Sequence, residues 1–93
     1  MREKALENLL VRGVKKKGGL ALKFVSPGMA GVPDRLLLLP KGRMAFVELK
    51  ATGEKMRPLQ TKRKEQIERL GFMVFCIDEA SQIGGVLDEI CST

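Results

Sequence analysis

Residues 31–50 read Gly31-Val32-Pro33-Asp34-Arg35-Leu36-Leu37-Leu38-Leu39-Pro40-Lys41-Gly42-Arg43-Met44-Ala45-Phe46-Val47-Glu48-Leu49-Lys50. Two apolar runs flank Pro40-Lys41-Gly42, which suits a three-residue hairpin loop. Proline fits its first αR position, and glycine the left-handed position that closes with a bulge. Such a loop pairs Leu39 with Arg43, and counting back sets Asp34 opposite Glu48. A loop of two or four residues would shift the register and separate the two acids. The unbroken leucines of Asp34 to Leu39 predict a strand buried on both faces.

Working outward, Arg2 to Lys17 has helical period, with Leu6, Leu9, Leu10, Gly13 and Val14 on one face. Glu3 and Glu7 flank that face, placed to reach a groove at the edge of the core. Lys15, Lys16 and Lys17 occupy its last turn, where cations suit the helix dipole, and Gly18-Gly19 ends it. Leu20 to Val25 reads as a strand. The two prolines and the glycines of residues 26–33 make a loop. Beyond the hairpin, 51–57 is polar. Pro58 suits the first position of a helix to about Leu70, with Leu59, Ile67 and Leu70 expected towards the core and Gly71 as its cap. Phe72 to Ile77 reads as a buried strand, Asp78 as a helix cap, and a last helix runs towards Cys91. The order αβββαβα, with a helix crossing between the third and fourth strands, predicts an α/β fold with a mixed sheet.

Ninety-three residues allow a single domain, 1–93, with a thin core that a partner subunit would help to complete. Seventeen Lys and Arg against eleven Asp and Glu give a net charge of +6, with a pI near 9.7. That balance favours polyanionic partners, nucleic acid foremost. Cys76 and Cys91 match no zinc pattern and there is no His, so free thiols in a reducing cytoplasm are expected. No apolar run approaches membrane-spanning length.

Strand alternation puts Glu48 and Lys50 on one face of the third strand, with Val47 and Leu49 on the other. Two charges on an interior strand are costly unless compensated. A divalent cation with a phosphate would compensate them: Asp34 and Glu48 supply oxygens and Lys50 meets the anion. Mg²⁺ is commonly held by one or two carboxylates together with water and phosphate oxygens. A solvated, inert Glu–Lys pair at a strand end is the bland alternative. The two motifs in hairpin register on a basic domain favour the first reading.

Pro33-Asp34 followed after fourteen residues by Glu48-Leu49-Lys50 resembles the signature of the PD-(D/E)XK nucleases. Lys23-Phe24-Val25-Ser26-Pro27-Gly28, Gly31 to Arg35, Phe46 to Lys50 and Pro58-Leu59-Gln60 are similar to the VRR-NUC family, the virus-type replication-repair nuclease module. The resemblance runs from about Glu3 to Asp78. It implies a restriction-endonuclease-like core, a Mg²⁺ or Mn²⁺ site with Asp34 and Glu48 as ligands, and Lys50 as the catalytic lysine. It also implies an acid from the first helix, for which Glu7 is the better match and Glu3 the alternative, and a glutamine near the site, Gln60. Ser26 either contacts a phosphate or shapes its loop.

The remaining cations cluster as Arg12, Lys15, Lys16 and Lys17 and as Lys55, Arg57, Lys62, Arg63 and Lys64, with Arg35 beside Asp34. Both clusters flank the site in sequence and are expected to meet DNA phosphates, which give affinity without reading bases. No helix-turn-helix, zinc finger or aromatic stacking platform is present. The resemblance therefore implies a nuclease selective for DNA structure, most simply a homodimer that cuts four-way junctions in a bacterial or phage-infected cytoplasm. A non-catalytic basic DNA-binding module is the rival, and a flap or nicked-duplex nuclease within a larger assembly is a variant.

Overall fold

The computed structural model describes residues 1–92. Helix α1 (Glu3–Lys16) leads into β1 (Leu20–Lys23), β2 (Arg35–Leu39) and β3 (Arg43–Leu49); α2 (Pro58–Arg69), β4 (Val74–Ile77) and α3 (Ile83–Cys91) follow. The four strands form one mixed sheet in the order β1-β2-β3-β4. The first three are antiparallel, and β4 runs parallel to β3 after the α2 crossover, as the element order predicts.

The hairpin has the expected register, with Leu39 opposite Arg43 and Arg35 opposite Val47. The turn Pro40–Gly42 is a single 3-10 turn in which Lys41 (φ 68°) as well as Gly42 (φ 73°) is left-handed. Sequence reasoning assigned that conformation to the glycine alone.

One face of the sheet is the core. Leu37 and Leu39 of β2, Ala45, Val47 and Leu49 of β3 and Ile77 of β4 meet Leu6, Leu10 and Val14 of α1 and Ile83, Leu87 and Ile90 of α3. Burial of such side chains contributes roughly 1.5–3 kcal/mol each. Gly13 lets the two helices approach: a Cβ there would stand 3.1 Å from Leu87 Cδ1.

The other face is only partly covered, and several expectations fail for that reason. β2 is not buried on both sides, because Leu36 is half-buried and Leu38 exposed. On α2 no residue is buried; Leu59 is exposed and Leu70 is 76% exposed. β1 stops at Lys23 and leaves Val25 exposed, and β4 begins at Val74, leaving Phe72 outside. Asp78 is not a cap: Glu79 precedes the 3-10 turn Ala80–Gln82, and Gln82 Oε1 accepts hydrogen bonds from the Asp78 and Glu79 N–H groups at 2.9 and 3.1 Å. The longer amide reaches back where the shorter carboxylate was expected to reach forward.

Candidate active site

Asp34 lies just before β2 and is clamped from both sides. Its carbonyl accepts the Phe24 N–H at 2.9 Å, and its Oδ2 accepts the Leu49 N–H at 2.9 Å. The hairpin register makes the second bond possible, since it sets Asp34 across from the end of β3. Asp34 itself remains exposed.

Glu48 and Lys50 project from the half-open face and are nevertheless buried, at 2% and 6% exposure. Glu48 Oε2 is 3.5 Å from Lys50 Nζ and accepts a 2.6 Å hydrogen bond from Gln60 Nε2. Gln60 is anchored at its other end, where Oε1 accepts the Arg57 N–H at 2.8 Å at the start of α2. One side chain thus caps the helix and orients the acid. Glu48 Oε1 is buried with no hydrogen-bond partner. Burial first, and then the neighbouring Asp34 charge, push the Glu48 carboxyl up to about 7 against the opposing pull of Lys50.

An orphaned buried carboxylate oxygen beside a second carboxylate is a polar gap that a cation would fill. Asp34 and Glu48 therefore suit a hard divalent ion completed by water and phosphate oxygens. Glu7 does not join them. Its Oε1 lies 3.0 Å from Arg35 Nη2 and 3.6 Å from Lys4 Nζ, and among the described residues no three carboxylate, His or Cys side chains group at metal-binding spacing. Burial pushes the Glu7 carboxyl up, but its hydrogen bond to Arg35 and the nearby cations outweigh that and leave it lowered. Glu7 does reach the groove expected of it. A cleft of about 220 Å³ beside Asp34 is lined by Glu3, Glu7, Lys23, Phe24, Val25 and Asp34.

Several cations predicted to meet DNA are engaged elsewhere. Arg35 is 8% exposed, and its Nη1 donates to the Ala21 carbonyl at 2.9 Å while Nη2 pairs with Glu7. It joins α1, β1 and β2 and offers no surface to a duplex. Arg63 Nε donates to the Ala30 carbonyl at 2.8 Å, and its Nη1 to Gln66, which fastens the 26–33 loop to α2. Lys17 pairs with Asp88 at 3.1 Å. Lys15 and Lys16 are exposed at the far end of α1, roughly 20 Å along the axis from Glu3. They lie at the opposite end of α1 from the cleft-lining Glu3 and Glu7. Lys55 and Arg57 are exposed just before α2, on the Gln60 side, with Lys62 exposed on the helix itself. Ser26 opens a turn closed by the Met29 N–H onto its backbone carbonyl at 3.2 Å, a bond that does not involve its hydroxyl.

Two neighbours of the site were given no role there by the sequence. Cys76 stands opposite Glu48 in the β3–β4 pairing, and burial together with the Glu48 charge pushes its thiol up. Lys23 borders the cleft and stands opposite Arg35. The residue count of the irregular 24–34 loop gives no register, so no sequence signal placed Lys23 there.

No protein-family model matches the chain. It is 50% identical over 78 residues to "Putative nuclease p44" of Acyrthosiphon pisum secondary endosymbiont phage 1, a span that covers 84% of each. A solved structure described as "VRR_NUC domain" superposes with a TM-score of 0.87 at 29% identity, over 92% of this chain and 94% of the other. A second, described as "VRR_NUC domain protein", superposes with a TM-score of 0.74 over 99% and 89%, at 17% identity, and speaks to the fold alone.

Proposed function

The chain belongs to the VRR-NUC family of nucleases, and from that premise we propose that it is a divalent-metal-dependent, structure-selective DNA endonuclease acting on four-way junctions as a homodimer. The observation that carries the metal dependence is Glu48 Oε1, buried and unpartnered beside Asp34. Asp34 and Glu48 would hold Mg²⁺ or Mn²⁺. The bound ion supplies Lewis-acid polarisation of the phosphate and a more acidic water.

The chain's own residues do the rest. The Leu49 N–H fixes one oxygen of Asp34, and Gln60 fixes one oxygen of Glu48. These second partners hold the two acids at a set separation, so that little reorganisation is needed when substrate arrives. Lys50 is held beside Glu48 and carries the positive charge that offsets the extra negative charge of a pentacovalent phosphate. With Asp34 exposed and Glu48 and Lys50 interior, a phosphodiester meets the site from the Asp34 side.

The dimer reading draws support from the open face of the sheet. Leu20 pairs across from Leu38 and Leu22 from Leu36, with Met44 and Phe46 next in line on β3. Leu20 is 59% exposed, and Leu22 and Leu38 are exposed beside it. A contiguous apolar patch of this kind favours a partner, and a two-fold copy would present two sites to two strands. Among the described residues no helix is long and apolar enough to cross a membrane. The phage origin of the relative favours a phage-infected bacterial cytoplasm as the place of work.

The test is a cleavage panel of four-way junction, flap, nicked, single-stranded and linear duplex DNA with Mg²⁺ and with Mn²⁺, alongside Asp34→Asn and Glu48→Ala. Junction cutting by wild type alone supports the proposal. Flap or nick cutting transfers the activity to that substrate. Tight, salt-dependent binding with no cutting and no Mn²⁺ heat in calorimetry returns the chain to the non-catalytic DNA-binding reading.

A further inference from the structure

The cleft beside Asp34 is unusually acidic for an entrance that must admit a polyanion. Glu3, Glu7 and Asp34 all line it, so a DNA backbone brought against it meets three carboxylates. Lys50 itself is 6% exposed and engaged with Glu48. The other cations nearby are already committed: Lys4 and Arg35 both pair with Glu7. Lys23 also helps to lower the Glu7 carboxyl through its charge, but it makes no direct ion pair with it. It lines the same cleft and is exposed. Among the described residues no carboxylate stands within ion-pair distance of its ammonium group.

Its backbone is also fixed relative to the site. Lys23 is the last residue of β1 and pairs with Arg35, and the next residue, Phe24, donates its N–H to the Asp34 carbonyl. The strand order sets the end of β1 at Lys23, the start of β2 just after Asp34 and the end of β3 at Glu48-Leu49 side by side. Two strand spacings, about 10 Å, separate the Lys23 backbone from that of β3. Because Lys23 pairs with Arg35 and Arg35 with Val47, its side chain leaves the sheet on the α1 face, opposite to Glu48 and Lys50. It meets the site only where it and Asp34 line one cleft, and it is placed there for a different phosphate from the one Lys50 faces.

Resting on the nuclease reading above, we propose that Lys23 is a substrate-binding residue of this site, holding the DNA phosphate adjacent to the scissile one and offsetting the acidic rim of the cleft. The contact is to backbone and carries no sequence preference. It gives affinity and positioning rather than chemistry.

The test compares wild type with Lys23→Ala, Lys23→Gln and Lys23→Arg. DNA binding is measured without divalent ion, so that nothing is cut, on a four-way junction and a linear duplex across a KCl series. Loss of one phosphate contact makes the slope of log affinity against log salt shallower by about 1, and arginine restores it. In cleavage assays KM rises by roughly three- to tenfold for alanine and glutamine while kcat stays within about twofold, as expected for uniform binding. Mn²⁺ affinity by calorimetry is unchanged. An unaltered salt slope overturns the proposal, and so does a fall in kcat at constant KM. If wild type cuts no DNA, the nuclease reading fails, while the salt slope still decides whether Lys23 grips a phosphate.

Discussion

Val47 and Glu48 are consecutive residues of β3, both almost fully buried, and they face opposite sides of the sheet. Val47 meets α1 and α3 across a closed aliphatic core. Glu48 points to the half-covered side and is held there by Gln60 and Lys50, with one oxygen left unpartnered. The inner face stabilises the fold by excluding water. The outer face excludes water around charges, which costs stability and leaves a carboxylate ready for a cation. One strand carries both because alternation lets neighbouring residues answer to different demands.

The widest separation between the two faces is expected from Lys50→Ala set against Leu49→Ala. Removing the ammonium should lower the cleavage rate by about 10² to 10³ or more while leaving the melting transition in place. Removing the leucine should destabilise by about 2–5 kcal/mol and leave the folded fraction able to cut. Denaturant titration with single-turnover cleavage on the same samples separates them. A Lys50→Ala protein that cuts normally breaks the assignment of chemistry to the outer face.

The inner face was legible in the sequence. The period of Leu6, Leu10 and Val14 and the Pro40-Lys41-Gly42 loop fixed α1 and the hairpin, and with them the approach of Asp34 to Glu48. Of the outer face only the charged residues were legible, and not what covers it. A run of four leucines looks the same whether one or both sides are covered, and only the path of α2 decides that Leu38 stays exposed. The protein partners of Arg35 and Arg63 were hidden for a related reason. A cation's sequence neighbours do not tell whether its donors go to phosphate or to a carbonyl such as those of Ala21 and Ala30. Gln60 was found through the resemblance, and its double role in capping α2 and holding Glu48 emerges only from the three-dimensional arrangement.

The cost of the outer face is measurable through pH. The Glu48 carboxyl is raised from 4.5 to about 7, so the folded chain holds that proton more tightly than the unfolded one. Its stabilising contribution is complete below pH 4.5 and is lost as pH rises through about 7. Without divalent ion, wild type should lose on the order of 2–3 kcal/mol across that window, and Glu48→Gln should not. Mg²⁺ or Mn²⁺ added at pH 8 should raise the wild-type melting temperature and leave the glutamine variant unmoved. Parallel pH curves for the two proteins would place the burial penalty elsewhere.

A smaller effect is expected where the loop that precedes Asp34 rests on α2. Gly31 has φ of +84°, and a Cβ there would lie 2.7 Å from Leu59 Cγ. Gly31→Ala combines left-handed strain with that clash and should cost about 1–3 kcal/mol. Because the same loop leads into Asp34, cleavage should fall with it even where the protein remains folded. A stable Gly31→Ala protein with normal cleavage would show that the loop positions nothing.

The smallest effect on the chain itself is expected at Leu38, which stands on the open half of the outer face. In a lone protomer Leu38→Lys replaces a solvated leucine and should change stability by no more than about 0.5 kcal/mol. If a second copy covers Leu20, Leu22, Leu36 and Leu38, the same change buries a charge at a two-fold axis, where it faces its own symmetry mate. Sedimentation should then shift from twice the 10.3 kDa chain mass to the chain mass itself. Paired cutting of a four-way junction should give way to single nicks, with the rate per site preserved. A dimer that survives Leu38→Lys would place its interface elsewhere and leave this apolar half-sheet without a partner of its own kind.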